Sequence, residues 1–219
     1  MSTDTAGVTV KVVLLGETTV GKTSIISRFI KDSFDPNCIT SLGASFISKN
    51  LYFPEFKKTI KFDIWDTAGQ EKYRSLAKIF YKDAVIIIFV YDITRKQTFE
   101  EIKKYWYGQI KDFGIPNPIL AIAANKSDLY EKEQISEQEV KDYANSIGAI
   151  FKSTSALSNT GIDILFQHLG KKYLDPKFDY QAEDKRLAEE YKKEQEKQNG
   201  KVRLEDAKND TPEKKNCNC

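Results

Sequence analysis

The chain has 219 residues, 40% of them hydrophobic and 30% charged, which suffices for one real core with a well-solvated surface. Lys and Arg number 34 against 32 Asp and Glu, a balance that argues against a nucleic-acid-binding stripe and against a uniformly basic membrane face. The polar stretch Met1 to Gly7 lacks the basic-then-apolar layout of a signal peptide, so the chain is expected to fold in the cytosol.

In chain order, the apolar run Val8 to Leu15 reads as a strand and leads into an amphipathic helical stretch from Lys22 to Lys31. Ser45 to Phe53 and Thr59 to Trp65 are both strand-like, with only Pro54 to Lys58 between them. So short a connection makes a hairpin and places an antiparallel strand at one edge of the sheet. Ala84 to Tyr91, the longest apolar run, is far below the roughly 20 residues that span a bilayer and reads as a buried strand. Helix Thr98 to Phe113, strand Ile119 to Ala124, helix Glu137 to Ile147 with Gly148 as its stop, strand Ala149 to Ser153 and helix Gly161 to Tyr173 follow. This alternation predicts an α/β fold: a six-stranded, mostly parallel sheet with crossover helices in three α/β/α layers and one antiparallel edge strand. The domain is expected to span 1–174. From 175 to 219 the chain turns to Lys, Glu, Asp, Gln and Asn and cannot bury enough apolar surface to offset chain entropy, so a flexible tether is expected, with Gln181 to Gln198 helix-prone.

Three motifs carry chemistry. Directly after the first strand, Gly16-Glu17-Thr18-Thr19-Val20-Gly21-Lys22-Thr23 satisfies G-x-x-x-x-G-K-[ST], with Ser24 following, in the strand-to-helix context that gives the pattern meaning. Its glycines let backbone N–H groups turn inward around a polyphosphate, Lys22 reaches the outer phosphates and the Thr23 hydroxyl is placed to ligate Mg²⁺. The second is Asp66-Thr67-Ala68-Gly69-Gln70 at a strand end: Asp66 for the Mg²⁺ shell, the Gly69 N–H for the terminal phosphate, Gln70 to orient an attacking water. The third is Asn125-Lys126-Ser127-Asp128, where a carboxylate can accept from both the ring N–H and the exocyclic amine of guanine; adenine would leave that buried charge unmatched.

These motifs in this order make the chain resemble the Ras superfamily of P-loop GTPases over roughly Val8 to Leu174. Within it, Trp65 to Leu76 and Val90-Tyr91-Asp92-Ile93-Thr94 are similar to Rab signatures, and Ile39-Thr40-Ser41-Leu42-Gly43-Ala44-Ser45-Phe46 resembles the early-endosomal branch of the Rab five and Rab twenty-one type. The resemblance implies a GTP/GDP switch that regulates vesicle traffic, hydrolysing GTP slowly because no arginine finger is evident. It also assigns further residues. The threonine that the family's first switch places on Mg²⁺ corresponds by spacing to Ser41, with Thr40 beside it as the alternative. Phe34 matches the aromatic at the guanine edge, and Ser155-Ala156 the loop whose backbone supports the base. The family's next residue is usually lysine, and here it is Leu157, which keeps the backbone contact and drops the side chain's packing. Thr18 stands where growth-signalling relatives have glycine, a Rab-like departure. Phe46, Trp65 and Phe80 match the hydrophobic trio read by effectors, with core packing the plainer role for Trp65.

The 3 cysteines are Cys38, Cys217 and Cys219, no disulfide framework. Cys217-Asn218-Cys219 is not a C-a-a-X box but resembles the Cys-x-Cys end on which Rabs receive two geranylgeranyl groups; two chains suit stable anchoring, and Lys214-Lys215 add attraction for anionic lipid. The implied partners are an exchange factor, a GTPase-activating protein, effectors of the two switches, and prenyl-escort and dissociation-inhibitor proteins. The implied state is a monomer, with no nucleic acid, moving between cytosol and the cytoplasmic face of endosomal membranes. His168 lies away from every nucleotide motif and reads as a surface or packing histidine on the last helix; Cys38 reads as a thiol in a loop.

Overall fold

The computed structural model describes residues 7–36, 45–67 and 80–193. Six strands form one sheet: β1 (Val8–Leu15), β2 (Ser45–Phe53), β3 (Lys58–Asp66), β4 (Ile86–Asp92), β5 (Ile119–Asn125) and β6 (Ile150–Ser153), in the order β2-β3-β1-β4-β5-β6. Only β2 runs antiparallel, pairing Ser45 with Asp66 and Phe53 with Lys58 across a hairpin closed by the 3-10 turn Pro54–Phe56. The remaining pairs, β3 with β1, β1 with β4, β4 with β5 and β5 with β6, are parallel. The expected three-layer α/β sheet with one antiparallel edge is therefore the observed one.

Among the described residues, the helices that flank the sheet are α1 (Lys22–Lys31), α2 (Lys96–Glu101, continued through a π-turn Ile102–Trp106 into Tyr107–Asp112), α3 (Glu137–Ser146) and α4 (Ile162–Leu174). All seven residues of β4, Ile-Ile-Ile-Phe-Val-Tyr-Asp, are buried, because a central parallel strand is covered on both faces and has no reason to alternate. On one face Val13, Leu15, Phe89 and Ile122 pack with Phe99, Ile102 and Trp106 of α2 and Val140 and Ala144 of α3. On the other, Phe29 of α1 stacks on Phe166 of α4 at 3.6 Å between ring centres, while Phe62 of β3 meets both edge-on. At the hairpin end, Phe53 is buried against Gly170 of α4, where a Cβ would lie 2.1 Å from the ring.

Helix ends follow local chemistry. α3 starts with the Ser136 hydroxyl accepting from the Glu139 N–H and stops before Gly148, whose φ is +67°. α4 begins after Gly161 at φ +73°, and Thr160 pairs with Ser155 in an isolated bridge. β4 starts two residues later than the apolar run implies, because Asp83 takes φ +59° and the Ala84 N–H closes a turn on the Tyr81 carbonyl.

The chain divides after Phe178 into two units, the second beginning at Asp179. In the second, residues 180–193 are helical: the Asp179 carboxylate accepts from the N–H groups of Gln181 and Ala182, and Arg186 pairs with Glu183 and Glu190.

The parallel run of β3, β1, β4, β5 and β6 sends five carboxyl ends to one edge of the sheet: Asp66, Leu15, Asp92, Asn125 and Ser153. The chain leaves β1 toward β3 on one side and toward β4 on the other, so the loop after β1 sits at the switch in strand order, where open α/β sheets bind ligands.

Candidate functional site

The loop after β1 folds back on itself through Gly16 at φ +150°, Thr19 at +60° and Gly21 at +96°. Gly21 is the case where glycine is required, since a Cβ there would come within 2.3 Å of the Asn125 side-chain nitrogen. Lys22, 5% exposed, bends back over the loop and donates to the carbonyls of Gly16 at 2.9 Å and Glu17 at 2.8 Å. Burial pushes its ammonium down to about 8, against the raising effects of Asp66 and Glu17. One residue on, the Thr23 hydroxyl donates to Asp66 Oδ2 at 2.5 Å, joining the start of α1 to the end of β3. Two hard oxygens thus lie side by side next to the phosphate-type loop, a donor set that suits a small divalent cation completed by phosphate and water.

At the other end, Asn125 is the last residue of β5 and is buried. Its Nδ2 donates to the Val20 carbonyl at 2.8 Å, tying the two loops together, and Thr154 Oγ1 donates to its Oδ1 at 3.4 Å. Ser127 to Lys132 form a 3-10 segment that presents Asp128, whose carboxylate accepts from Ser155 Oγ at 2.5 Å. The Ser158 N–H donates in turn to Ser155 Oγ. Arg28 of α1 clamps the same loop, donating to the carbonyls of Ala156 at 2.9 Å and Leu157 at 3.2 Å and pairing with Asp32.

Between these ends lies a cavity of about 500 Å³. Of the expected residues it is lined by Thr18, Thr19, Gly21, Lys22, Thr23, Ser24, Phe34, Asn125, Lys126, Asp128, Ala156 and Leu157, and also by Asp35, Pro36, Thr67 and Leu129, which the sequence reading did not single out. Gly16, Val20, Asp66 and Ser155 stand one layer behind, each bonded to a lining residue: Lys22, Asn125, Thr23 and Asp128 respectively. Ser155 thus enters through its hydroxyl as well as its backbone, a role that spacing does not reveal. Ser41, Thr40, Cys38, Gly69, Gln70, Cys217 and Cys219 lie outside the described residues.

Phe46, Trp65 and Phe80 form a contiguous row of rings, with centroids 5.3 Å apart for the first pair and 5.8 Å for the second. Phe46 is 52% exposed, while Trp65 and Phe80 are partly buried against the α2-side core, so the row is both surface and packing. His168 is buried beside the Phe178 ring and does not line the cavity, which selects packing over helix surface.

The sequence model of the Ras family matches residues 11–175. The chain belongs to the Ras family. Human Ras-related protein Rab-22A (Homo sapiens) is 46% identical over 162 residues, 74% of this chain and 82% of that protein. Ras-related protein Rab-31 of Homo sapiens is 44% identical over 168 residues, covering 76% of this chain and 85% of that one. Ras-related protein Rab5A of Oryza sativa subsp. japonica is 41% identical over 164 residues, covering 75% and 79%. These relatives place the chain on the Rab branch, and the Rab five type to which Ile39 to Phe46 pointed is among them. As a Rab-type member of the Ras family it is a GTPase: it binds guanine nucleotide, cycles between GDP- and GTP-bound forms and regulates membrane traffic through effectors and regulators.

Proposed function

We propose that the cavity holds GDP or GTP with the phosphates under the loop Gly16 to Thr23 and the guanine between Lys126, Asp128 and Leu157. The carrying observation is that Lys22 and Asp128, more than a hundred residues apart in the chain, line one cavity. Lys22, already poised over the loop carbonyls, exchanges those partners for phosphate oxygens. The inward N–H groups of the loop and the first turn of α1 neutralise further charge. Thr23 and Asp66, with Ser41 from the first switch, would hold Mg²⁺, which supplies charge stabilisation on the transferring phosphoryl group. Gln70 orients the attacking water and Gly69 follows the terminal phosphate. Loss of that phosphate releases both switch segments, and effectors reading Phe46, Trp65 and Phe80 let go.

Discrimination against adenine rests on Asp128. With Ser155 Oγ fixing one of its oxygens, the carboxylate is held to accept two donors from guanine, while Ala156 and Leu157 carry the base-facing backbone and Phe34 closes the edge. Asp128→Asn turns one acceptor into a donor and is expected to lower GDP affinity while raising that for xanthosine diphosphate, read by competition against a fluorescent nucleotide. A guanine preference that survives the change would remove Asp128 from this role.

The protein is anchored, in this reading, through geranylgeranyl groups on Cys217 and Cys219, on the cytoplasmic face of endosomal membranes. An exchange factor opens the site, a GTPase-activating protein supplies the missing cation, and escort and dissociation-inhibitor proteins shield the lipids.

A further inference from the structure

The motif Val90-Tyr91-Asp92-Ile93-Thr94 marks the branch to which the chain belongs, yet none of these residues lines the cavity. Asp92 ends β4 as a carboxylate 2% exposed at its side chain, and one of its oxygens pairs with two cations, Lys126 and Arg95. Its Oδ2 accepts from Lys126 Nζ at 2.6 Å and from Arg95 Nε at 3.3 Å. Its Oδ1 accepts from the N–H of Thr94 at 2.9 Å and from that residue's hydroxyl at 2.7 Å. Arg95 then reaches with Nη2 to the Thr18 carbonyl in the phosphate-type loop at 3.0 Å. A single buried acceptor therefore holds two cations, one belonging to the base end of the cavity and the other bonded to the phosphate end.

The chemistry of the site explains why a carboxylate is needed. Burial alone would push the Asp92 carboxyl up, but the bonds from Lys126 and Thr94 outweigh it and hold the group below the ordinary aspartate value, so it is ionised throughout the neutral range. Lys126 takes the left-handed backbone at φ +66°, which costs a lysine free energy and needs an outside contact to persist. The ion pair with Asp92 supplies that contact. The Ile93 N–H, donating to the Asn125 carbonyl at 3.1 Å, locks the two strand ends in the same register.

We infer that Asp92 is a positioning residue for guanine nucleotide: acting through Lys126 and Arg95, it keeps the base-side loop and the phosphate-side loop at the spacing one bound nucleotide requires. This rests on the reading of the cavity as the nucleotide site. Removing the charge leaves Lys126 to leave its left-handed pose and Arg95 to swing to solvent, loosening both ends at once. The contribution is expected in the lifetime of the bound nucleotide, since the two cations act on the base-side loop and on the Thr18 carbonyl.

The test uses the full chain loaded with a fluorescent GDP analogue, chased with excess GDP in stopped flow. For Asp92→Asn, dissociation is expected to be about ten- to hundred-fold faster, the range that follows from losing hydrogen bonds to charged groups. Single-turnover hydrolysis of preloaded GTP should slow by a far smaller factor, a split that a general loosening of the fold would not give. Arg95→Gln, at a half-exposed side chain that the core does not need, should raise dissociation by a few-fold, and adding it to Asp92→Asn should give no further increase because Arg95 acts through the same carboxylate. Should Asp92→Asn fail to fold, Arg95→Gln, which does not line the cavity, carries the comparison with the wild type alone. Wild-type dissociation in Asp92→Asn and Arg95→Gln, or fully additive effects in the double variant, would overturn the inference. A wild-type chain that never retains the analogue would instead overturn the nucleotide reading beneath it.

Discussion

Replacing Gly21 by alanine isolates what the phosphate-type loop needs from its backbone. At φ +96° any L side chain is strained, at about 1–2 kcal/mol. The added Cβ would also sit 2.3 Å from Asn125 Nδ2, so Asn125 must move and its 2.8 Å bond to the Val20 carbonyl is lost. A buried donor and acceptor left without each other cost about 1–3 kcal/mol more. Gly148→Ala is the matched control: φ is +67°, but the space around the new Cβ is open and the position lies after α3, away from the cavity. Thermal unfolding should show Gly148→Ala losing about 1–2 kcal/mol and Gly21→Ala about 2–5 kcal/mol. Nucleotide competition should show GDP affinity falling in Gly21→Ala alone. Equal losses in the two variants, or unaltered affinity in Gly21→Ala, would refute the claim that Gly21 is required by its contact with Asn125.

Three further outcomes are expected. With Lys22 held near 8 by burial, the unfolded chain binds more protons than the folded one between pH 8 and 10.5; the burial cost is fully present below pH 8 and is relieved as pH rises through that window. Phosphate binding restores the ammonium, so GDP affinity should be flat below neutrality and fall up to about tenfold per pH unit above pH 8, read before the guanine ring itself titrates. A flat profile to pH 9 would contradict it. Gln70→Leu should cut single-turnover GTP hydrolysis by at least about tenfold with GDP affinity kept, and an unchanged rate would remove Gln70 from its role. Replacing Cys217 and Cys219 by serine should leave nucleotide binding intact and abolish membrane association in cells, whereas persistent association would point to another anchor.

Much of this molecule is readable from residue order because its central strands are buried on both faces. Val8 to Leu15, Ile119 to Ala124 and the hairpin strands stand out as apolar or alternating runs between turn residues, and the three motifs each fall at a strand's carboxyl end. Periodicity cannot show what depends on one extra residue or on a distant partner. The π-turn Ile102–Trp106 lies inside a stretch whose apolar spacing fits an ordinary helix. Gly170 is a neutral helix residue until Phe53 arrives from the hairpin end. The supports of the site are of the same kind: the Ser155 hydroxyl on Asp128, Arg28 on the carbonyls of Ala156 and Leu157, and Lys126 on Asp92 all act across long sequence separations, although Arg95, the second cation on Asp92, is only three residues away. One local signal was present, since Asp92 followed two residues later by Thr94 is the pattern of a side chain closing a turn on its own backbone.

In the proposed complex Lys22, Asp66 through Thr23, and Asp128 serve one guanine nucleotide with a divalent cation beside its phosphates. The direct measurement is a calorimetric titration of the purified, nucleotide-stripped chain with GDP and with ADP, each in magnesium and in excess chelator. Tight GDP binding that weakens by orders of magnitude in chelator, with ADP failing to compete, is the predicted result. Equal affinity for ADP and GDP, or GDP binding indifferent to magnesium, would contradict it.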